Sequence, residues 1–435
     1  MSKHGKSKTV LISWSLYDWA HSAFATIINT FIFSSYFTQA IADNPIIGTA
    51  LWGHAVALSG LVIALLSTFL GAIADKQGRR KPWIFFFTLL TAVCASLLWF
   101  SKPSPAYIHW TLTWVIIGTI GFELAYVFYN SMMHGLVKKQ YLGRLSGWAW
   151  GFGYGGGVIS LILALMLIQK GGEWFNLNIK EAEQLRLCGP LVGIWLLIFS
   201  LPLFLKVPDQ RKKEITMKAA VIEGCSFFLK NLSKLRGYKH VGLFLVARML
   251  FIDGLNTLFA FGGIYAAGVF KLSPAEIVKF GIAMNISAGL GAILFAWLDD
   301  IIGSKNVMLI GLLCLILGLT AILLVESITW FWVFSLFISL FVGPIQAASR
   351  TFMVHITPKE RMSEFFGLFA LSGKVTAFMG PWLVGTVTAL FASQRIGMGS
   401  ILVFLIGGAI LLMLLKNPSV TSEVRHDKRT ALRYD

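Results

Sequence analysis

From Val10 onward the chain is a succession of long apolar blocks separated by short polar breaks. No block alternates apolar and polar residues at period two, the pattern a lipid-facing barrel strand requires. Each block matches or approaches the roughly 20 residues that a helix needs to cross a bilayer. Twelve lie near 11–37, 50–74, 83–100, 108–131, 146–169, 187–205, 241–267, 276–298, 306–325, 328–349, 365–391 and 397–415. Backbone polar groups in lipid must be satisfied within their own segment, so the blocks are expected to be helices. The predicted fold is an all-α membrane protein with twelve transmembrane helices, called spans 1 to 12 below.

The longest polar segment falls between spans 6 and 7. It predicts a six-span half over 1–205, a central loop over 206–240, a second half over 241–415 and a tail over 416–435. The halves resemble each other in sequence. "YDWAHSAFA" in span 1 lies over "IDGLNTLFA" in span 7, which sets Asp18 on Asp253, His21 on Asn256 and Ser22 on Thr257. After span 2, Asp75 and Gly78 of "GAIADKQGRRK" correspond to Asp300 and Gly303 of "AWLDDIIGSKN". Gly147 and Gly153 of span 5 correspond to Gly367 and Gly373 of span 11. Similar offsets in chain order indicate two parallel repeats.

Charge follows the same organisation. Only 13% of the 435 residues are charged, and 56% are hydrophobic. A formal net charge of +17 would suit a nucleic-acid partner, but its placement does not. With both termini in the cytoplasm, the inner segments hold 27 of the 37 Lys and Arg and the outer loops hold six. That asymmetry is the positive-inside rule, so no nucleic-acid partner is expected. Cys94, Cys188, Cys225 and Cys314 are scattered, and no spacing indicates a metal or disulfide framework. "GFGYGGG" at 151–157 fits GxGxxG, yet it lies inside a span with no preceding strand. Its glycines are expected to give span 5 faces for tight helix crossing.

"GAIADKQGRRK" is the most specific motif. Gly71 permits close helix packing, Asp75 closes the helix as an acceptor, Gly78 turns the chain, and Arg79 and Arg80 stay in the cytoplasm. This loop resembles the signature loop of major facilitator transporters, where it latches the cytoplasmic side. "SLYDWAHSAFATIINTFIFSSYF", "ARMLFIDGLNTLFAFGGIYAAG" and "SRTFMVHITPKERMSEFFGLFALSGKVTAFMGP" are similar to one branch of that superfamily. It is the bacterial unknown major facilitator family, akin to the fungal vacuolar effluxers of autophagy. His21 stands where that family usually has Asn, and Phe251-Ile252 where it often has Tyr-Asn. The resemblance implies a central cavity lined by spans 1, 4, 7 and 10. The fungal members suggest amino acids as the substrate class.

A charge at mid-bilayer costs about 2.5–3.5 kcal/mol even on gentle insertion scales. The intramembrane candidates are therefore informative: Asp18, Glu123, Arg248, Asp253, Arg350 and Lys374. Residues three and four apart share a helix face. Asp18, His21 and Asn29 form a stripe on span 1, and Glu123 and Tyr126 one on span 4. Asp253 and Asn256 do so on span 7, and Gln346 and Arg350 on span 10. The expectation is a secondary transporter, not an enzyme. It would carry a small-molecule substrate such as an amino acid or similar zwitterion, with a proton, or sodium, as coupling ion. Asp18 or Asp253 would carry the proton, with Glu123 third. Gate salt bridges alone are the bland alternative for these charges. Amphiphile efflux and a non-transporting sensor are the rival functions. The lipid bilayer is the surrounding partner. No cofactor and no metal are expected, and the protein is taken as a monomer of the bacterial inner membrane.

Overall fold

The computed structural model describes residues 7–77, 79–133, 136–137, 142–209, 238–294, 301–357 and 362–415. Among them, ten helices are long and apolar enough to cross a membrane by length and composition. Spans 1 and 8 are the two expected spans outside that set. Span 1 starts as the helix Lys8–Ala23 and continues through wide π-helical turns at Phe24–Phe31 and Phe37–Ile41. Thr26, Ile27, Ile28, Thr30 and Ile32 are β-branched and crowd the tighter α-turn there. Span 8 is the helix Pro274–Leu294, which carries Glu276, Lys279 and Asn285.

The other spans follow the predicted order. Span 2 is Pro45–Gln77, two residues longer than the expected end at Asp75. Its start is capped by Asn44 Oδ1, which accepts from the Ile46 and Ile47 N–H groups at 3.0 and 2.9 Å. Spans 3 to 6 are Lys81–Leu97, Ile108–Met132, Leu142–Phe175 and Cys188–Lys206. Spans 7, 9 and 10 are Lys239–Val269, Ser304–Leu324 and Ile328–Ile356. Span 9 begins at Gly303, whose φ of +82° only glycine adopts without strain. Span 11 is split into Met362–Val375 and Met379–Phe391, and span 12 into Gln394–Gly399 and Ile401–Leu414. Span 5, the pseudo-equivalent of span 11, is continuous.

Packing repeats with the sequence. Span 1 packs on spans 5 and 6, span 3 on 4 and 6, and span 2 on 4. Span 7 packs on spans 11 and 12, span 9 on 10 and 12, and span 8 on 10. Across the two groups, span 2 meets span 11 and span 5 meets span 8. A shift of six maps every one of these pairs onto another. The glycines of span 5 serve the expected purpose, since a Cβ on Gly156 would lie 2.8 Å from Trp19 Cα.

The end of the bundle away from the termini is closed by spans 2 and 11. A Cβ on Gly53 would come within 2.7 Å of the Pro381 carbonyl and 2.9 Å of Gly385 Cα, both backbone atoms. Gln394 adds a polar clasp: its Nε2 donates to Thr49 Oγ1 at 2.6 Å and to the Pro45 carbonyl at 3.3 Å. Gly53→Val is expected to destabilise the protein by about 1–3 kcal/mol, because backbone cannot yield as a side chain does. Thermal unfolding in detergent checks this. Gly242→Ala, with nothing within 4 Å of its Cβ, should leave the midpoint unchanged or slightly raised.

Candidate functional site

Glu123 lies in the middle third of span 4, and Lys374 in the middle third of span 11. Lys374 Nζ donates to Glu123 Oε2, joining the two groups of helices by an ion pair. The side chains keep 27% (Lys374) and 31% (Glu123) of their exposure, so the pair borders open space. Pairing is the physical answer to two charges at this depth, since each alone carries the full insertion penalty.

The groups around it come from span 1. His21 is buried flat against Phe122, with ring centroids 3.6 Å apart, and lies 4.7 Å from the Tyr126 ring. Its Nε2–H donates to the Phe122 carbonyl at 2.9 Å, which fixes the tautomer with the proton on Nε2. Asn29 sits in the wide turns, where its Oδ1 accepts from Thr119 Oγ1 of span 4 at 3.2 Å. A π-helical stretch beside a polar cluster is a frequent mark of a functional position.

Asp18 is held differently from the expectation of a carboxylate between cations. Tyr129 Oη donates to its Oδ2 at 2.7 Å, and Tyr126 is a second hydrogen-bond partner. Trp14 and Tyr17 stack around Tyr129, at 4.4 and 4.8 Å. Asp18 is 8% exposed, and it shares Tyr126 with the group around Glu123. Sequence reading missed Tyr129, although it lies three residues after Tyr126 on the same face.

The span 7 charges lean on span 11. Arg248 Nη1 donates to the Phe369 carbonyl and to Ser372 Oγ, both at 2.7 Å, and its guanidinium lies 3.7 Å from the Phe369 ring centroid. Asp253 Oδ2 accepts from the Gly380 N–H at 3.0 Å. Arg350 of span 10 places its guanidinium 5.7 Å from the Trp150 ring of span 5. Asn256 is exposed, and Gln346 is partly buried. The structure thus gathers His21, Asn29, Glu123, Tyr126 and Lys374 into one region. Arg248 and Asp253 brace the two pieces of span 11.

The predicted signature loop is described in part. Gly71 and Asp75 lie on the backbone of span 2, while Gly78 and Asp300 fall outside the described residues. Arg79 is exposed and Arg80 buried. Asp209 is the unforeseen participant. Its carboxylate accepts from the Arg80 N–H at 3.0 Å and the Lys81 N–H at 3.1 Å, capping span 3. Separately, an apolar crevice lies between Phe31, Phe259, Phe280, Met284 and Phe331, and none of the intramembrane charges lines it.

Solved structures share this arrangement of helices. The chain superposes with a TM-score of 0.70 on a D-xylose-proton symporter, at 15% identity, covering 95% of this chain and 98% of that one. A bacterial homolog of the human lysosomal transporter Spinster, inward-facing and unoccupied, gives 0.68 at 15% identity, with 94% and 98% covered. The fold is that of a major facilitator transporter, in a multi-pass membrane protein. Residues 48–424 match the family model described as "Vacuole effluxer Atg22 like", and the chain belongs to that family.

Its relatives include the MFS-type transporter YxiO of Bacillus subtilis, 26% identical over 94% of this chain and 95% of that protein. Autophagy-related protein 22 of Yarrowia lipolytica is 24% identical over 60% of this chain. The match spans about half (48%) of that fungal protein. These relatives identify a transporter and not an enzyme.

The ion pair predicts non-additive mutations. Glu123→Gln and Lys374→Met each leave an uncompensated partner, so the double variant should be more stable than the two single losses sum to. A double-mutant cycle on unfolding midpoints is expected to give a coupling of about 0.5–3 kcal/mol.

Proposed function

We propose that this protein moves a small zwitterion, an amino acid or close analogue, by alternating access driven by a proton gradient. The observation that carries the proposal is the Glu123–Lys374 pair, one charge of each sign, part-exposed, and contributed by opposite halves. A zwitterion can replace it without leaving either charge alone. The substrate ammonium goes to Glu123 and its carboxylate to Lys374. Asn29, His21 and Tyr126 stand beside Glu123 to orient the ligand.

Alternating access then means rocking 1–205 against 241–415 around this pair, with the central loop as tether. A proton arriving at Glu123 releases Lys374, so protonation and substrate binding act on the same contact. Asp18, gripped by tyrosines, positions span 1 against span 4, and the expected coupling role passes to Glu123. In this reading both termini lie in the cytoplasm of a bacterium, which the excess of Lys and Arg in the inner segments supports, and the protein is a monomer in the inner membrane. The closed end formed by spans 2 and 11 faces outward in this reading.

The apolar crevice favours a second reading, in which the substrate is an amphiphile whose tail enters between Phe259 and Phe331. Uptake into proteoliposomes separates the two. Under an imposed proton gradient, some amino acid should accumulate in wild type and fail to accumulate with Glu123→Gln. Lys374→Met should raise KM by at least about tenfold, the loss of one charge-assisted contact of roughly 1.5–3 kcal/mol. If no amino acid moves in folded, reconstituted protein while a fluorescent amphiphile does, the second reading replaces the first. If the double variant transports with unaltered KM, the pair is a lock and not the binding site.

A further inference from the structure

The break in span 11 holds two buried oxygens that nothing satisfies. Asp253 is 2% exposed and Thr257 1% exposed. Asp253 Oδ1 and Thr257 Oγ1 have no hydrogen-bond partner. They lie one helical turn apart on span 7 and converge on the same backbone position. A Cβ on Gly380 would sit 3.1 Å from Asp253 Oδ1 and 3.0 Å from Thr257 Cβ. A Cβ there would also collide with Thr257 Oγ1, so the glycine is what lets both oxygens lie against the backbone of the break. Orphaned buried oxygens carry a desolvation penalty of about 1–3 kcal/mol each, more for a charged group. A native protein rarely tolerates two side by side.

The break itself supplies the complementary chemistry. The first piece ends at Val375 and the second begins at Met379. In between, Ala377 N–H donates to the Lys374 carbonyl and Met379 N–H to the Thr376 carbonyl. Pro381 has no N–H, so the Ala377 carbonyl lacks the partner four residues on that a continuous helix would give it. The C-terminal end of one helix and the N-terminal end of the next thus meet at this point. The Gly380 N–H takes Asp253 Oδ2 at 3.0 Å, which aligns the carboxylate, while Oδ1 is left without a partner. Neither nearby cation is paired with it. Arg248 Nη1 is engaged by Phe369 and Ser372, and Lys374 by Glu123.

We propose that the span 11 break is a binding site for a sodium ion, held by Asp253 Oδ1, Thr257 Oγ1 and backbone carbonyls released by the break. The donor set is all oxygen, which selects a hard cation. It contains a single carboxylate, which a monovalent cation neutralises. Interrupted helices whose free carbonyls hold a sodium ion are a recurrent device in secondary transporters. The continuous span 5 offers no such break to Asp18, the pseudo-equivalent of Asp253, whose carboxylate takes tyrosine hydroxyls instead. Lys374 borders the break, but its ammonium is held by Glu123, and the proposed ligands do not depend on what that pair binds.

Purified full-length protein in detergent tests this directly. Its unfolding midpoint is followed against sodium chloride, with potassium and choline chloride at matched ionic strength, and at several pH values. Sodium alone should raise the midpoint saturably. Thr257→Val should weaken the half-saturating concentration by at least about tenfold, Thr257→Ser should retain it, and Asp253→Asn should abolish the effect. Should Asp253→Asn fail to fold, the two Thr257 variants carry the test. The proposal is overturned if wild type responds equally to the three salts, if the midpoint follows pH and not sodium, or if Thr257→Val responds like wild type. Because no substrate is used, failure here leaves the transport reading standing.

Discussion

A cation and an anion from opposite halves hold each other midway along their membrane-crossing helices, and the architecture is arranged around that contact. Charge is costly at this depth, so each ionisable side chain must find a partner or an opening to water. Glu123 and Lys374 do both, being paired and part-exposed. The other charges are secured within one group of helices or against a ring: Asp18 by tyrosines, Arg248 by a carbonyl, a hydroxyl and an aromatic face, Arg350 over Trp150. A contact that can open without stranding a charge is one that a zwitterion can enter.

The pairing of spans obeys a shift of six throughout, yet the two halves have diverged where chemistry is concentrated. Span 1 loosens into wide turns beside His21 and Asn29, while span 7 stays α-helical. Span 11 breaks opposite Asp253, while span 5 runs unbroken past Asp18. Symmetry supplies the common scaffold, and these departures place different groups at equivalent heights. The closed end relies on backbone contact between spans 2 and 11 around Gly53 and Gly385, reinforced by Gln394 on Thr49.

Much of this was legible in the sequence because membrane crossing imposes a strong, regular signal. The spans, the internal repeat and the six intramembrane charges follow from hydropathy and the cost of burying charge. The face-sharing of Glu123 with Tyr126, and of Asp18 with His21, follows from helical spacing. What the charges touch did not follow. Nothing in the spacing tells that Glu123 meets Lys374, 251 residues away, or that Asp18 takes hydroxyl donors in place of a cation. Tertiary packing decides both. The split in span 11 had a signal, the Gly380-Pro381 step, which marks an interrupted helix. The wide turns of span 1 had one too, a cluster of β-branched residues. Asp209 as the cap of span 3 was hidden, because it lies 129 residues from its partner Arg80.

If the Glu123–Lys374 pair recognises a substrate carrying both charges, removing those charges from the ligand should abolish its recognition. Binding to purified protein measures it most directly, by comparing an amino acid with its N-acetyl amide, which has the same side chain and neither charge. Saturable binding is expected of the zwitterion alone, weakened at least about tenfold in Glu123→Gln and in Lys374→Met. Equal binding of the uncharged analogue, undiminished in those variants, would contradict it.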